Sequence, residues 1–110
     1  MARFTTTPTE VLHLAKTMST MPIFGIIEVH LQDGRAVEGV IRGSQTGNNF
    51  TSGMKAPTAY YAEVTIQTLH GHQLTIDVLD IAQVQDVWAT RSGAYEQAGL
   101  IQLVDWPNKG

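Results

Sequence analysis

The sequence contains no cysteine, few charged residues and no long apolar run. The absence of cysteine excludes a disulfide framework and a thiolate metal cluster. No apolar stretch approaches the ~20 residues needed to span a bilayer, and residues 1–7 lack the charged start and apolar core of a secretory signal. Charged residues make up 15% of the chain and hydrophobic residues 43%, which argues against disorder. We therefore expect a folded cytoplasmic protein without a membrane partner.

The charge balance limits how the protein could bind nucleic acid. There are 7 lysines and arginines against 10 aspartates and glutamates, so the formal net charge is −3. Such a chain has no bulk attraction for polyphosphate, and nucleic-acid binding would need a local site or several copies acting together. The 110 residues fit a single domain over 1–110, since a chain of this size buries roughly two thirds of the surface that its unfolded form exposes.

The first predicted element is a short helix over 7–19. The segment 7–10, TPTE, supplies a hydroxyl N-cap, a proline at the first helical position and a glutamate that can reach back to the cap. Apolar residues then recur at i, i+3, i+4 and i+7, which places on one face Val11, Leu14, Ala15 and Met18. Met21-Pro22 ends the helix, because the residue before proline is pushed out of the helical region.

From Ile23 the hydrophobic period changes from that of a helix to that of a strand. Alternating segments on both sides of Asp33-Gly34 predict a first hairpin, and a second pair of strands follows around a turn at 69–72. The apolar or glycine phase of these strands comprises Ile27, Val29, Leu31, Val37, Gly39, Ile41, Gly43, Val64, Ile66, Leu74, Ile76 and Val78. With a fifth strand over 82–89, the pattern predicts a mostly β protein: a small, five-stranded, strongly bent antiparallel barrel over 24–89 with one N-terminal α-helix.

Two segments fall outside this pattern. Residues 44–59 form the longest stretch without periodicity, and a loop of this length in a short domain is often functional. Residues 90–110 are an apolar C-terminal extension, in which 90–93 is typical of a linker, 94–98 has mild helix propensity and 100–104 is compatible with an extra strand. Because this tail is apolar, we expect it to pack on the barrel or on a neighbouring subunit.

The stretch from Ile27 to Gly43, IEVHLQDGRAVEGVIRG, followed by Asn49-Phe50, resembles the first signature of the Sm-like (LSm) family. An apolar strand, an Asp-Gly-Arg turn, an alternating strand with a central glycine and an asparagine-hydrophobe pair occur in the order typical of that family. The preceding short helix is similar to the family's N-terminal helix, and the unusual loop and tail suggest a short divergent phage- or bacterium-type member. The resemblance implies that the barrel is of the Sm-like (SH3-type) class.

Sm-like proteins assemble into closed rings by pairing the edge strands of neighbouring barrels, and the rings bind single-stranded RNA around a central pore. The resemblance therefore implies two partners, further copies of this chain and single-stranded RNA, in RNA metabolism or as an RNA chaperone. Self-association is also expected from the residues alone, because a barrel this small leaves strand edges that must be paired, covered or charged.

The resemblance also assigns a candidate RNA site to the loop after the second strand. Gln45 stands at the position of the family's acidic residue, Gly47 at that of its base-stacking side chain and Asn49 at that of its base-reading amide. An amide presents the donor and acceptor that the edge of an unstacked base needs. Glycine cannot stack on a base, an interaction worth roughly 1–3 kcal/mol. The aromatic residues that could replace it are Phe50, Tyr60 and Tyr61.

Three further residues complete the candidate RNA site. Asn48 adds a second amide beside Asn49, and Arg35 and Arg42 are outward-facing cations that could contact phosphate. Each has an alternative interpretation, since asparagines in a glycine-rich loop are also turn formers and outward arginines are also simply solvated.

The family's second signature has two possible positions in this sequence. Its Arg-Gly pair aligns either with His70-Gly71 or with the break at Leu79-Asp80. The second alignment is preferred because it keeps Val64 and Ile66 in the inward phase. It leaves the site without the basic residue that closes the family's RNA pocket.

Other classes of function find little support in the sequence. No nucleophile elbow or glycine-rich phosphate loop is present, and Asp77 and Asp80 are typical of a solvated strand end, so we expect no catalysis and no cofactor. A metal site at His70 and His72, with His30 or Asp77 as third ligand, lacks convincing spacing. The alternative function is that of a homo-oligomeric protein-interaction scaffold of Sm-like fold without RNA affinity, which the acidic net charge favours.

Overall fold

Two helices and five strands make up the part of the chain that the structure, a computed structural model, describes, residues 2–48 and 59–102. In chain order the elements are α1 (Pro8–Thr20), β1 (Ile26–Leu31), β2 (Ala36–Asn48), β3 (Tyr60–Gln67), β4 (Gln73–Asp77), a 3₁₀ turn (Val78–Asp80), β5 (Ile81–Asp86) and α2 (Trp88–Gln97). Within these ranges, neither helix is long and apolar enough to cross a membrane.

Helix α1 begins where the sequence predicts. The Thr7 side chain caps it by accepting a hydrogen bond from the Glu10 backbone N–H (3.1 Å), and a proline follows at the first helical position. The Glu10 carboxylate reaches one residue further back than expected and accepts from the Thr6 backbone N–H (2.7 Å). The first bond satisfies a donor that the first turn of a helix would otherwise leave unpaired, and the second joins the residue before the cap to the helix.

The buried face of α1 differs slightly from the predicted one. Leu14 and Met18 pack against the core as expected. Ala15, however, is exposed, and Thr17 is buried in its place. The face of the helix that meets the core is therefore shifted slightly from the predicted apolar stripe, so that it includes a polar residue.

The five strands form one antiparallel sheet in the order β4-β3-β2-β1-β5. The first four strands therefore lie side by side in chain order, and β5 returns to the other side of β1. This makes β4 and β5 the two edges of the sheet. Within the described residues no pairing between these edges closes the sheet, so the closed barrel stays a prediction.

The sheet carries a hydrophobic core on each face. The larger core lies against α1 and consists of Ile27, Val29, Ile41, Ala62, Val64, Ile66, Val78 and Ile81. The smaller core lies against α2 and consists of Ile26, Val40 and Tyr95. The inward phase predicted for Val64 and Ile66 is confirmed, because both side chains are fully buried.

Helix α2 stands where the sequence predicts the end of a strand and a linker. The fifth strand, expected over 82–89, ends at Asp86, and the supposed linker 90–93 lies inside the helix. The helix forms because it covers the apolar surface that β1 and β2 leave on this face of the sheet, a tertiary effect that outweighs its weak propensity. Leu100 and Ile101 then pack against the smaller core without forming the expected strand, and 103–110 lie outside the described residues.

Strand β2 is longer than the sequence predicts. Residues 44–48, expected to open a long loop, continue β2 and pair with β3 as far as Asn48 opposite Tyr60. A bulge between Ile41 and Gly43 shifts the register and bends the strand. Beyond the bulge almost every β2 side chain is exposed, so no alternation of polarity marks this part as a strand. Residues 49–58 of the predicted loop lie outside the described residues.

The two glycines of β2 that match the family signature predict opposite responses to an added methyl group. A Cβ at Gly39 would lie 2.8 Å from the backbone oxygen of Gln67, whereas a Cβ at Gly43 would meet no atom within 4 Å. We expect Gly39→Ala to lower the free energy of unfolding by about 1–3 kcal/mol, the usual effect of overpacking. Gly43→Ala should leave it unchanged or raise it by up to about 1 kcal/mol, because alanine has less backbone entropy to lose. Urea denaturation measures both, and equal midpoints would contradict the close approach at Gly39.

Candidate functional site

The residues predicted to bind RNA do not form one cluster in the described part of the chain. Gln45 and Asn48 lie on opposite faces of the sheet, because they are three positions apart on one strand and successive side chains alternate. Arg35 lies in the turn just before β2, and Arg42 lies in the β2 bulge. Asn49, the amide expected to read a base, lies outside the described residues.

Tyr61 supplies the aromatic ring that position 47 lacks. Gly47 pairs with Tyr61 across β2 and β3, and a Cβ at position 47 would lie 2.5 Å from Tyr61 Cε2, so the ring covers the glycine. Phe4 packs edge to face with Tyr61, with ring centroids 5.3 Å apart. The Gln45 side-chain amide donates a hydrogen bond to the Tyr61 hydroxyl (3.4 Å). Gly47 thus provides the space that the cross-strand tyrosine occupies.

The N-terminal segment 2–5 holds this aromatic pair against the sheet, a role that no pattern in its short sequence predicts. The Thr5 backbone N–H donates to the Tyr60 carbonyl (2.8 Å), and the Thr5 hydroxyl accepts from the Tyr60 N–H (3.0 Å). The Ala2 N–H donates to the Glu63 carboxylate (2.9 Å). The segment therefore binds β3 as a strap and carries Phe4 to Tyr61.

Arg3, in the same segment, reaches the turn to which the family's second signature aligns. The sequence has no basic residue of its own in that turn. The preferred break at Leu79-Asp80 coincides with the 3₁₀ turn. Arg3 Nη1 contacts Asp77 Oδ2 and Asp80 Oδ1, each at 2.9 Å. The hydrogen bond to Asp80 and the charges of both carboxylates raise the pKa of Arg3. Two neighbouring carboxylates thus balance its charge.

Arg42 forms two hydrogen bonds within the chain, and its predicted contact with phosphate stays a prediction. Its Nε donates to the Gln67 side chain (2.8 Å), and its Nη2 donates to the Leu100 carbonyl (2.6 Å). The guanidinium thereby fastens the segment after α2 to the β2–β3 pair. This contact joins positions 58 residues apart in the chain and has no local signal in the sequence.

The other cations of the described residues are paired with acids, with one exception. Arg35 Nε contacts Asp33 Oδ2 (2.7 Å), and hydrogen bonds from the Arg35 backbone and side chain lower the pKa of Asp33. Arg91 Nε contacts Glu38 Oε2 (2.9 Å). Lys16 on α1 forms no ion pair with any described residue. The described surface therefore offers few free positive charges to phosphate.

The histidines considered as metal ligands are not brought together. His70 and His72 lie in the turn between β3 and β4, whereas His30 lies on β1 and contacts Glu28 (3.0 Å). Across 2–48 and 59–102, no group of three His, Asp or Glu side chains is close enough to hold a metal ion.

The β5 edge presents backbone groups that no strand pairs. The Val87 N–H donates to the Ile26 carbonyl (2.9 Å), so these two residues form a hydrogen-bonded pair. This pair sets which of the preceding β5 residues form hydrogen bonds with β1. Because hydrogen-bonded and non-bonded pairs alternate along antiparallel strands, the N–H and C=O groups of Val84 and Asp86 point away from β1, whereas Ala82 lies in a bulge where the register shifts.

The β4 edge has the same property. The Thr68 N–H donates to the His72 carbonyl (2.8 Å) at the turn, which fixes the alternation along β3 and β4. The backbone groups of Gln73 and Thr75 therefore point away from β3. The hydroxyls of Thr65 and Thr75 lie 3.0 Å apart, as expected where the two strands form a close, non-hydrogen-bonded pair.

Comparison with known proteins identifies the fold. No family model and no curated protein matches the chain. Among solved structures it is similar to XC5848 from Xanthomonas campestris, whose crystal structure is described as adopting a novel variant of the Sm-like motif, with a TM-score of 0.61 and 12% identity over 79% of this chain and 95% of that one. The chain has an Sm-like fold. At this low identity the similarity concerns the fold alone, and it supports the family resemblance carried by Ile27 to Phe50 at that level.

Proposed function

We propose that this chain is a non-catalytic Sm-like subunit that joins copies of itself, edge strand to edge strand, into a closed ring, and that the ring binds single-stranded RNA. The observation that carries the proposal is the presence of two unpaired edges, β4 and β5, in one antiparallel sheet. Pairing β4 of one copy with β5 of the next satisfies both edges of every subunit. Because these two surfaces differ, repeating the contact by rotation gives a ring.

The composition of the two edges favours pairing. Natural proteins protect solvent-exposed edges with lysine, proline or a covering segment. No lysine or proline stands at the outward-pointing positions Gln73, Thr75 and Val84, and the outward-pointing acids Asp77 and Asp86 lie at the ends of the two strands. The two strands are also similar in length, with 5 residues in β4 and 6 in β5. These features suit a strand that bonds to another copy.

RNA binding is proposed for the end of the sheet where β2 and β3 carry amides and aromatic rings. Gln45, Tyr61 and Phe4 lie together on one face there, and Asn48 leads the chain towards Asn49. A ring repeats this set once per subunit, so several weak contacts can act on one strand of RNA. Because the nearby cations are already paired, base stacking and amide contacts should contribute more than phosphate contacts.

Fluorescence titration of the full chain with oligo-U and oligo-A, at two salt concentrations, tests the RNA-binding part. We expect binding that depends only weakly on salt, since few phosphates are neutralised. Tyr61→Ala should weaken it roughly 5- to 150-fold, the equivalent of one lost stacking contact, and Asn49→Ala should also weaken it. Gln97→Ala, at an exposed residue of α2 outside every candidate site, serves as the control. Absence of binding to both oligonucleotides at low salt would contradict RNA binding.

The paired arginines favour a second candidate function, a homo-oligomeric protein-interaction scaffold without RNA affinity. Arg3, Arg35 and Arg91 each lie within 2.9 Å of a carboxylate oxygen, and the whole chain has a net charge of −3. A pull-down with the tagged full chain separates the two functions. Protein partners that are still recovered after RNase treatment, in the absence of oligonucleotide binding, would favour the scaffold. Partners that are lost after RNase treatment would favour the RNA-binding ring.

A further inference from the structure

The outward-pointing backbone groups of the two edges belong to residues on opposite faces of the sheet. On β5 one such residue is Val84, whose side chain packs against the larger core. On β4 one such residue is Thr75. Its neighbour Ile76 packs against the larger core, so the Thr75 side chain lies on the face of the smaller core, because successive side chains alternate. A strand that bonds to either edge has to fit this difference.

The difference determines how β5 of one copy can bond to β4 of the next. Directly opposed residues of two paired strands have their side chains on the same side. Val84 and Thr75 can therefore stand opposite each other only if the second copy is turned over. Within one sheet β4 and β5 run in the same direction, because four antiparallel steps separate them. One half-turn of the second copy, about a line across the strands, reverses both its faces and its strand direction. It therefore makes the new pair antiparallel.

The lengths of the two strands select one register for this pair. With Val84 opposite Thr75 of the next copy, all 5 residues of β4 stand opposite residues of β5. A shift of two residues in either direction pairs fewer of them. In this register Asp86 stands opposite Gln73, whose side-chain amide can donate a hydrogen bond to the carboxylate. The next outward position of β4 is Asp77, and it comes to Ala82.

A groove on the α1 side of β5 lies where two of these β4 side chains arrive. It has a volume of about 350 Å³ and is here termed the α1–β5 groove. Its lining includes Lys16, Thr17 and Thr20 of α1 and Ala82 and Val84 of β5. After the half-turn, Thr75 and Asp77 of the next copy stand on this side, opposite Val84 and Ala82. A largely polar groove thus meets polar side chains.

The charges around this groove also favour the contact. Lys16 forms no ion pair within residues 2–48 and 59–102. Asp77 and Asp80 share one guanidinium, that of Arg3, so these three side chains together keep one negative charge. Lys16 of the first copy can balance that charge. Asp86 does not cancel Lys16, because it lies at the far end of β5, about 13 Å along the strand from the point where Asp77 arrives. That distance exceeds the screening length of about 10 Å at 0.1 M salt.

We infer that each copy is turned over relative to the next at the junction, with β5 antiparallel to β4 and Val84 opposite Thr75, and that the α1–β5 groove holds Thr75 and Asp77 of the neighbouring copy beside Lys16. The inference rests on the proposed self-association and adds its orientation, register and side-chain contacts. Neighbouring strands are rotated by about 20–25°, so the half-turn describes the sheet only at the junction. Parallel pairing without the half-turn is less favourable per residue, and every described pair of this sheet is antiparallel.

Engineered disulfides test this register, since the native chain contains no cysteine. The register makes Gln85 and Leu74 of the next copy a directly opposed pair without hydrogen bonds between them. The Cα atoms of such a pair lie about 4.5 Å apart, within the range that a disulfide bridges. Both side chains are exposed in the single chain, so Gln85→Cys with Leu74→Cys should keep the fold. On oxidation most chains of this double variant should join into multiples of 12.0 kDa that reducing agent returns to 12.0 kDa.

Val84→Cys with Leu74→Cys is the matched control, because it moves one cysteine by a single residue to the other side of the sheet. It should give no more disulfide than either single variant. More disulfide in the control than in the first pair would indicate the parallel arrangement and overturn the inference, while leaving edge pairing intact. Equal yields would also overturn it, as would disulfides in Leu74→Cys alone, which indicate pairing of β4 with β4.

Sedimentation and circular dichroism before oxidation separate this inference from the proposed self-association. Gln83→Cys with Ile76→Cys, the next opposed pair on the same side, replaces the first pair should that variant not fold or assemble. A native chain that assembles while neither opposed pair forms disulfides would overturn the register alone. A native chain of 12.0 kDa would overturn self-association, and the inference with it.

Discussion

If the chain assembles through its sheet edges as proposed, Thr75→Pro should leave it a monomer of 12.0 kDa. Thr75 lies in the middle of β4, opposite Thr65, and its backbone groups point away from β3. Proline at this position removes an N–H that only a neighbouring strand could use and places its ring on the outer edge. The hydrogen bonds between β3 and β4 are kept, because edge strands tolerate proline where the N–H faces solvent. Sedimentation velocity at micromolar concentration measures the effect.

Thr75→Val separates the backbone effect from that of the side chain. Valine also loses the 3.0 Å contact with the Thr65 hydroxyl but keeps the N–H, so assembly should persist. Thermal unfolding establishes that both variants fold. Loss of the assembly in both variants would assign the effect to the side chain. An unchanged mass for Thr75→Pro would show that β4 is not a pairing edge.

Tyr95→Ala should destabilise the fold by about 3–5 kcal/mol, as expected for truncating a buried aromatic side chain. Tyr95 is fully buried and forms the smaller core with Ile26 and Val40. Its hydroxyl also donates to a Glu38 carboxylate oxygen (2.9 Å). Small domains are stable by only about 5–15 kcal/mol, so this one substitution removes a large share of the total. Urea denaturation followed by circular dichroism measures it.

Tyr95→Phe is the matched control, since it keeps the ring and removes only the hydroxyl. We expect a loss of about 1 kcal/mol, because Glu38 still accepts a hydrogen bond from Arg91. Equal losses in the alanine and phenylalanine variants would mean that the hydroxyl, and not the packing of the ring, holds α2 on the sheet.

The same pair of proteins predicts a difference at alkaline pH. Burial, reinforced by the hydrogen bond to the Glu38 carboxylate, raises the pKa of Tyr95 above its ordinary value. In the unfolded chain the phenol ionises near pH ~10. The stability that the neutral phenol contributes is therefore complete below that pH and is lost as the pH rises above it. The native chain should lose stability above pH ~10 more steeply than Tyr95→Phe, and parallel pH profiles would contradict this.

The elements that could be predicted are those with one buried face. Val64 and Ile66 alternate with polar residues because they fill the larger core, and the cap at Thr7 is a local signal that α1 obeys. Residues 44–48 carry no such signal, since most of β2 beyond its bulge is exposed. Helix α2 could not be predicted either, because the burial of Tyr95 stabilises it and its local helix propensity is weak.

The candidate site was harder to predict because its contacts join distant parts of the chain. In the sequence, Gly47 leaves the candidate site without a stacking side chain. Only the pairing of β2 with β3 shows that the Tyr61 ring covers this position. Nothing in the sequence around Arg3 indicates its contact with Asp77, which lies 74 residues away. Arg42 stands in the signature but binds the segment after α2. In each case strand pairing or tertiary contact, and not spacing along the chain, determines what the residue does.

The mass of the native chain in solution tests the central claim, self-association through the two sheet edges, most directly. Sedimentation equilibrium over a range of micromolar concentrations should give one species whose mass is a whole-number multiple of 12.0 kDa and does not rise with concentration, because a closed ring leaves no free edge. A 12.0 kDa monomer at every concentration would contradict the claim.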